Sequence, residues 1–338
     1  MLQFLVRRLL AALLVLLSVS LLTFVIARLV PSNPAALYAG QRPTEAQIAS
    51  ARKRLGLDRP LPVQYAIFMG DMLRGDLGVS FKTKHAIAED LKIFFPSTLE
   101  LVLAAMALSG LIGLPLGVMA GANAGSWFDR VSRLLTISGV SIPSFWLVLI
   151  LQLLLSGWLG ILPLSGRVSR DIDLLNPIGR ITGLNVIDAI LTGNWDGLLD
   201  VLHHLILPTV VLATYPLSLV FRMTRVSMLE TLREKYIVAA QARGVTRARL
   251  LFRHALKNAL IPSLNVLGLS FAFALTGSVL IEVVFVWPGL GKYITDAILN
   301  ADFPVIIAVT LLVAVVYVCV NFIMDVLQAV LDPRVAAL

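Results

Sequence analysis

A glycine-rich string near the end of the chain is the first candidate for chemistry. Residues 288–293 read PGLGKY, and a phosphate-binding loop of the form G-x-x-x-x-G-K-[ST] uses backbone amides and a lysine to hold the phosphates of ATP. The string departs from that form at both ends. Val286 stands where the first glycine is required, and Tyr293 replaces the hydroxyl residue that binds Mg²⁺. The sequence therefore predicts that this chain does not bind ATP.

Histidines and cysteines are the next candidates, as metal ligands. His203 and His204 are adjacent, so on a helix they point to different faces, and His85 and His254 are expected on opposite sides of a membrane. Cys319 is the one cysteine, which excludes an internal disulfide or a cysteine metal cluster. No metal site is predicted.

Two carboxylates within apolar stretches, Glu100 and Glu282, could mark a proton-coupled pathway. A proton-coupled carrier more often places such acids near the middle of the bilayer, where they are costly. Both acids lie within a turn or two of the ends of predicted spans. We therefore interpret them as membrane-interface residues and expect the driving force for any transport to come from outside this chain.

The composition indicates a membrane protein. Of 338 residues, 58% are hydrophobic and 14% are charged, whereas soluble domains carry about 25% charged residues. A span needs about 20 mostly apolar residues. Six stretches qualify and predict an all-α polytopic protein with six transmembrane helices: 9–29, 99–122, 134–158, 204–221, 260–286 and 304–327. The fourth is the weakest, because Pro208 and Pro216 interrupt it, and Gly110, Gly113 and Gly117 in the second favour close helix packing.

Orientation follows from lysine and arginine counts. Residues 222–258 contain nine of them, whereas 288–303 contains one, and the positive-inside rule places the first loop in the cytoplasm. Six crossings then put the N and C termini in the cytoplasm. The apolar run 9–27 is longer than the apolar region of a secretory signal, which has about 7–15 residues, so we expect it to remain as the first span.

This topology predicts an organisation in three parts. They are an N-terminal transmembrane helix (1–30), a periplasmic cap segment (31–96) and a membrane core (97–330) that includes a periplasmic insertion (159–202) and a cytoplasmic loop (222–260). Within the cap, 44–55 and 63–73 are expected to be helical. Within the insertion, 185–191 is too short to span and is expected to form a packed or interfacial helical turn.

The basic stretch 222–262 stands out, with nine Lys/Arg against two acids. Leu229, Leu232, Tyr236 and Ala240 recur at helical spacing, and Gly244 is placed to end that helix in a left-handed conformation. Thr246 is placed to cap a second helix. One interpretation is an amphipathic loop bound to anionic headgroups. The other is a rigid rod with a fixed elbow that receives force from a partner protein.

This elbow resembles the "EAA" loop of binding-protein-dependent ABC importer permeases, in which E-A-A is followed after three residues by glycine. The corresponding residues here are Val238, Ala239, Ala240, Gln241, Ala242, Arg243 and Gly244. Val238 replaces the acid, which is typical of the peptide and nickel branch, and the neighbouring Tyr236 and Ile237 also match that branch. So do His254 to Ala259 (HALKNA) and Pro262.

Further stretches support the resemblance along nearly the whole chain. They are MLQF with Arg7 and Arg8, LGLD at 55–58 with Pro60, GDLGVS at 75–80, RMTR at 222–225, WPGLG at 287–291, DFPV at 302–305 and DPR at 332–334. The 159–202 segment, with Ser165-Gly166-Arg167 and Asn176-Pro177, is most similar to the dipeptide branch.

The resemblance implies a type I ABC importer permease in the bacterial inner membrane that carries dipeptides or short peptides. Its partners would be a second homologous permease, two ATPase subunits that hold ATP and Mg²⁺, a periplasmic peptide-binding protein and the lipid bilayer, with no nucleic acid and no cofactor in this chain. Tyr236 to Gly244 would contact the ATPase. The binding protein would dock on Gly75, Asp76, Trp287, Pro288 and Gly289.

Two alternatives stay open at this point. The same machinery could carry oligopeptides, glutathione, haem or a haem precursor, or nickel complexes. A protein of another class, a self-sufficient secondary transporter or channel, would show charges near the bilayer midplane or an internal repeat, and neither is visible in the sequence.

Overall fold

A computed structural model describes residues 2–29, 35, 43–54 and 56–331. The described chain is helical, and its β pairing is confined to an isolated bridge between Val79 and Ala86. Several residues of the sequence motifs lie outside the described residues: Met1, Leu55, Asp332, Pro333 and Arg334.

The described helices are numbered α1 to α14. In chain order they are α1 (Leu2–Leu29), α2 (Glu45–Arg54), α3 (Leu61–Leu73), α4 (Ile87–Ala122), α5 (Trp127–Ser141), α6 (Ser144–Leu151), α7 (Arg170–Leu175), α8 (Asn185–Thr192), α9 (Trp195–Leu232), α10 (Lys235–Ala242), α11 (Arg247–Arg249), α12 (Leu256–Val284), α13 (Leu290–Leu299) and α14 (Phe303–Leu331). Two π-helical segments, Gln152–Trp158 and Leu250–Ala255, continue α6 and lead into α12.

Five helices among the described residues are long and apolar enough to cross a membrane, and α5 with α6 forms a sixth candidate bent by 103°. This bent pair starts where Asp129 of α5 contacts Arg225, near the end of α9. It ends beside the start of a loop in which Gly166 donates a backbone hydrogen bond to Phe285, just past α12. Because its two ends reach opposite ends of the bundle, the pair is one crossing. The six-helix prediction is confirmed.

These crossings define two faces of the molecule. We call the face with 123–126 and 233–255 the coupling face, and the face with 43–86, 159–194 and 285–302 the cap face.

The fourth span is more regular than its prolines suggested, since α9 runs unbroken through Pro208 and Pro216. Both prolines are buried. Neighbouring helices therefore surround the two positions where proline has no N–H to donate to the helix hydrogen bonds.

Glycines bring α4 and α9 into close contact. A Cβ at Gly117 would lie 2.6 Å from Thr224 Cβ, and one at Gly121 would lie 2.7 Å from Met228 Cβ. Gly113 is nearly as tight, whereas a Cβ at Gly110 would meet nothing within 4 Å. The packing face therefore has glycines at every fourth position, 113, 117 and 121, and Gly110 lies outside it.

The cap segment packs on α1. Its two predicted helices are present, α2 with Thr44 and Gln47 in reciprocal hydrogen bonds at its start and α3 from Leu61. Tyr65 hydrogen-bonds to Ser20 at 2.7 Å, and its ring meets Phe24 edge to face at 5.3 Å. In the insertion, the predicted helical turn at 185–191 is α8.

Candidate functional site

The basic stretch contains a short helix, α10, which follows α9 after a turn in the chain. The repeating apolar pattern predicted one helix through Leu229 and Ala240, but α9 ends at Leu232 and α10 begins at Lys235. The chain turns at Glu234, which has an extended backbone (φ −65°, ψ 142°). The prediction of a single helix was wrong because the turn preserves the spacing of apolar residues while changing the direction of the chain.

Gly244 adopts the left-handed conformation that its position predicts, with φ +78°. Its N–H donates to the carbonyl of Gln241, and the N–H of Val245 donates to the carbonyl of Ala240. Two carbonyl groups in the last turn of α10 therefore have hydrogen-bond donors. Thr246 occupies the expected N-cap position with an extended backbone, but its side chain makes no capping hydrogen bond.

One face of α10 is anchored and the other is open. The Ile237 side chain is 1% exposed and packs in a cluster with Val118, Met228 and Leu250. Ala240 is half-buried against the same cluster. The residues that point away from the bundle are small or polar and exposed: Val238, Ala239, Gln241, Ala242 and Arg243. The helix thus presents a shallow surface on a fixed support.

Hydrogen bonds fix both ends of the elbow. The Tyr236 hydroxyl accepts from Asn258 Nδ2 at 2.7 Å and donates to the His254 carbonyl at 3.4 Å, which ties the start of α10 to the chain that enters α12. Arg247 Nη2 donates to Asn123 Oδ1 at 2.8 Å, which ties the far side of the elbow to the end of α4. Although 42% of Tyr236 is exposed, its hydroxyl has a structural role.

A buried ion pair lies beside this loop. Asp129, 1% exposed, accepts from Arg225 Nε at 2.5 Å and Nη2 at 2.9 Å, and from the Gly125 N–H at 2.9 Å. The bidentate contact joins α5 to α9 close to where α9 meets α10. Sequence reasoning missed this pair. The sequence signal that could have indicated this pair is Asp129, an acid in the first turn of a helix in a chain with a strongly basic loop.

On the cap face, the PGLGK string binds a carboxylate of its own chain. Glu282, at the end of α12 and 0% exposed, accepts from the Gly291 N–H at 2.6 Å, from the Lys292 N–H at 3.2 Å and from Thr98 Oγ1 at 2.6 Å. A Cβ at Gly289 would lie 2.4 Å from Glu282 Oε2. Amides that could have held a phosphate therefore cap α13 with an internal acid.

The two acids interpreted as membrane-interface residues are both buried within the protein, and their depth in a membrane stays a prediction. Glu100 is 6% exposed, and its Oε2 accepts from Arg167 at 2.6 Å while its Oε1 accepts from the Val186 N–H at 2.7 Å. Glu282 is enclosed as described above. Glu282 lies at the cap-face end of α12, whereas Glu100 lies well inside α4, and neighbouring donors hold each acid within the protein.

The residues predicted to dock a binding protein divide into two groups. Trp287 is 0% exposed and donates from Nε1 to the Ser97 carbonyl at 3.1 Å, and Gly289 is buried against Glu282. Direct docking by these two is therefore corrected, since their surroundings are filled by this chain. Gly75 and Asp76 are exposed and Pro288 is partly exposed.

The loop that follows Gly75 is fixed to α14 and α4. Asp302 Oδ2 accepts from Ser80 Oγ at 2.6 Å and from the Lys82 N–H at 3.0 Å. Thr83 Oγ1 of the loop donates to Asp90 Oδ2 on α4 at 2.7 Å, and the Tyr293 hydroxyl donates to the same oxygen at 2.9 Å. Burial and the adjacent Asp90 carboxylate raise the pKa of Tyr293, so the phenol keeps its proton and remains a donor.

The insertion is ordered around Asp188. Its carboxylate accepts from the N–H groups of Ile181, Thr182 and Gly183 and from the Thr182 hydroxyl, at 2.7–3.2 Å. Burial favours the protonated form, but these four donors outweigh it, and the pKa of Asp188 lies below its ordinary value. Within the described residues, no group of three or more His, Cys, Asp or Glu side chains could hold a metal ion.

Comparison with known proteins matches both parts of the chain to family models. Residues 113–337 match the binding-protein-dependent transport system inner membrane component, and residues 1–102 match the N-terminal part of the membrane component of such systems. Together the two models span almost the full length.

Three relatives illustrate the similarity. The chain is 44% identical over 336 residues to the di/tripeptide transport system permease protein DppB of Pseudomonas aeruginosa, covering 99% of each chain. It is 42% identical over 322 residues to the probable D,D-dipeptide transport system permease protein DdpB of Escherichia coli, covering 95% of this chain and 94% of that protein. It is 36% identical over 336 residues to the oligopeptide transport system permease protein AppB of Bacillus subtilis, covering 99% of each. The chain therefore belongs to the family of inner membrane components of binding-protein-dependent transport systems.

Proposed function

We propose that this permease is one of two homologous membrane subunits of an ATP-driven importer that carries dipeptides or short peptides across the bacterial inner membrane. Two ATPase subunits and a periplasmic peptide-binding protein complete the complex. The names of the full-length relatives support the peptide substrate. The observation that carries the mechanism is α10, a helix with one buried anchor and a solvent-exposed surface on the most basic part of the chain.

The exposed surface of α10 receives the ATPase. Eight residues give a rod about 12 Å long, short enough to lie in a groove of a partner protein. Three of its outward side chains, Val238, Ala239 and Ala242, are small, so a partner backbone can approach closely there. A lipid headgroup anchor would need charge and an apolar face directed at the membrane, whereas the apolar Ile237 is already packed inside the protein.

Cysteine crosslinking along α10 tests this contact in the assembled complex. Cysteines at the exposed Val238, Ala239 and Ala242 are expected to crosslink to an ATPase subunit. A cysteine at the buried Ile237 is the matched control and is expected to give little product. Equal yields at all four positions, or crosslinks only to a photoactivatable lipid, would favour the headgroup interpretation.

The coupling face is assigned to the cytoplasm, with both termini, and the cap face to the periplasm. The support is the concentration of nine Lys/Arg in 222–258. In the same assignment, 1–30, 31–96 and 97–330 act as the first span, the cap and the core, with 159–202 as the insertion. A cysteine at the exposed Lys84 should react with an impermeant maleimide in spheroplasts, and one at the exposed Arg243 should react only after lysis. The reverse pattern would invert the topology.

ATP hydrolysis is assigned to the partner subunits, because the phosphate-loop-like string is occupied by Glu282. Substrate choice is assigned to the binding protein.

Uptake by the reconstituted complex, with dipeptides competing against oligopeptides, glutathione, haem and nickel complexes, tests the substrate class. Competition by dipeptides alone is expected. Uptake that needs neither ATP nor a binding protein would instead favour a secondary transporter or channel.

A further inference from the structure

A half-open cavity of about 540 Å³ lies on the cap face, between α1, the cap helices and the start of α14. Its volume is within the range of small-molecule sites, about 300–1,000 Å³. Phe24 of α1, Phe68 of α3 and Ile307 of α14 form an apolar part of its wall. Charged side chains of both signs form another part, so the lining is amphipathic.

The cavity lies at the boundary between membrane and water. Phe24 is two residues from the end of the candidate span Val6–Ile26, and Ile307 is in the second turn of α14. Only 11% of the most apolar window of α1 is buried within this chain, so most of the surface of this helix faces outward from the bundle. A molecule in the cavity would therefore contact the outer part of the bilayer on the side of α1.

Among the described residues, the charged part of the lining combines two cations with two carboxylates. Lys53 and Arg59 have no ion-pair partner among the described residues. Asp71 and Asp76 line the same space, and Asp76 also accepts from the Gly78 N–H. Lysine and arginine are the usual partners of phosphate, and a carboxylate is the usual partner of a primary ammonium group.

We propose that this cavity binds a zwitterionic aminophospholipid of the phosphatidylethanolamine class. The lipid phosphate lies between Lys53 and Arg59, the ammonium group lies at Asp71, and the first part of an acyl chain lies along Phe24, Phe68 and Ile307. An anionic phospholipid fits less well, because it lacks the ammonium group that Asp71 and Asp76 would hold. The cavity fixes the cap to α1 and α14 through the bound lipid.

A transported peptide is also zwitterionic, but its position would be wrong. The buried core of the bundle is formed by α4, α9 and α12, and α14 stands between that core and the cavity. The cavity thus lies on the outer side of this chain's helix bundle, away from its buried core. Lipid binding in this cavity is therefore independent of the proposed import function, and an experiment can refute one without refuting the other.

Native mass spectrometry of the whole purified transporter tests the proposal, with phosphatidylethanolamine, phosphatidylcholine and phosphatidylglycerol titrated separately. The combined variant Lys53→Gln, Arg59→Gln should lose about tenfold in apparent affinity for phosphatidylethanolamine, the size of effect expected from one charge-assisted contact. The matched control is Arg52→Gln with Arg74→Gln, two exposed arginines outside the lining. It should stay within about twofold of the unmodified protein, well below that single-contact effect.

A second variant separates cavity occupancy from charge. Ile307→Trp fills part of the cavity beside its apolar wall without changing any charge. It should also reduce the amount of phosphatidylethanolamine that stays bound to the protein. Equal retention by the unmodified protein, the paired Gln variant and Ile307→Trp would overturn the proposal. So would equal affinity for phosphatidylglycerol, which would indicate attraction by surface charge alone. Loss of dipeptide binding in the paired Gln variant would instead assign the cavity to the substrate.

Discussion

Replacing Gly244 with valine tests the elbow of the coupling loop without introducing a steric clash. The residue has φ +78°, and a Cβ at this position would meet nothing within 4 Å. The effect of the substitution is therefore conformational. Left-handed backbone costs an L-residue about 1–2 kcal/mol, and a β-branched residue is expected at the upper end of that range.

A conformational cost of about 2 kcal/mol changes the ratio of native to rearranged loop by about 30-fold. If α10 transmits force only from its native position, peptide uptake by the reconstituted complex should fall by about 5- to 30-fold. The subunits should still assemble, because the contacts of Ile237 with its cluster lie outside the substituted residue. Gly244→Asn should retain most uptake, since asparagine tolerates the left-handed region.

Gly193 provides a matched control on the cap face. It follows the eight-residue helix α8, has φ +68° and has nothing within 4 Å of its Cβ position. Gly193→Val therefore introduces the same kind of strain at a helix end far from α10. The yield of the crosslink from a cysteine at Val238 to the ATPase should fall in Gly244→Val and stay unchanged in Gly193→Val. Normal uptake by Gly244→Val, or equal loss of crosslinking in both variants, would refute the role assigned to the elbow.

Three further predictions concern stability and rigidity. Asp129→Asn removes one partner of a buried bidentate pair and should destabilise the purified protein by about 3–5 kcal/mol, whereas Arg133→Gln, at a side chain 48% exposed, should cost less than about 1 kcal/mol in the same thermal unfolding assay. Asp188→Asn should destabilise the insertion at neutral pH. Since the folded-state pKa of Asp188 is lowered, its stabilising contribution is present above the unfolded value of about 4 and is lost as the pH falls through the folded value, so proteolysis of the two forms should converge in acid. A disulfide between cysteines at Gly113 and Val220, where the Cβ positions are 3.3 Å apart, should leave uptake equal in oxidised and reduced protein if α4 and α9 move together.

Hydropathy and glycine placement were sufficient to predict much of the architecture. The six crossings follow from apolar length, and the left-handed Gly244 follows from its place after a helical pattern, because both depend on local chemistry. The small helices α2, α3 and α8 were predicted for the same reason, whereas α7 in the insertion was not. The break at Glu234 was not, since an apolar repeat records which face is buried and is insensitive to a change in helix direction.

The remaining errors arose where neighbours in space decide the outcome. Asp129 and Arg225 are 96 positions apart, so no local pattern pairs them. The position of Glu282 near the end of a span was visible in the sequence, but its burial was not predicted, because the amides of Gly291 and Lys292 that enclose it belong to the next helix. In the same way, Trp287 was recognised from a motif, but its complete burial follows from packing on α4.

The rigid parts of the structure limit where conformational change can occur. α9 is a continuous helix of 38 residues, about 57 Å long, and it connects the cap face directly to the turn that leads into α10. Because the glycines at 117 and 121 leave no space between α4 and α9, force applied to α10 must displace both helices as one body. Asp129 attaches the first half of the bent crossing to that body. The second half, beyond the break at Ile142 and Pro143, is held at its far end by loops of the cap face, where Gln152 donates to the Leu164 carbonyl at 2.8 Å. The 103° bend between the two halves is therefore where we expect rotation between the coupling face and the cap face to be absorbed.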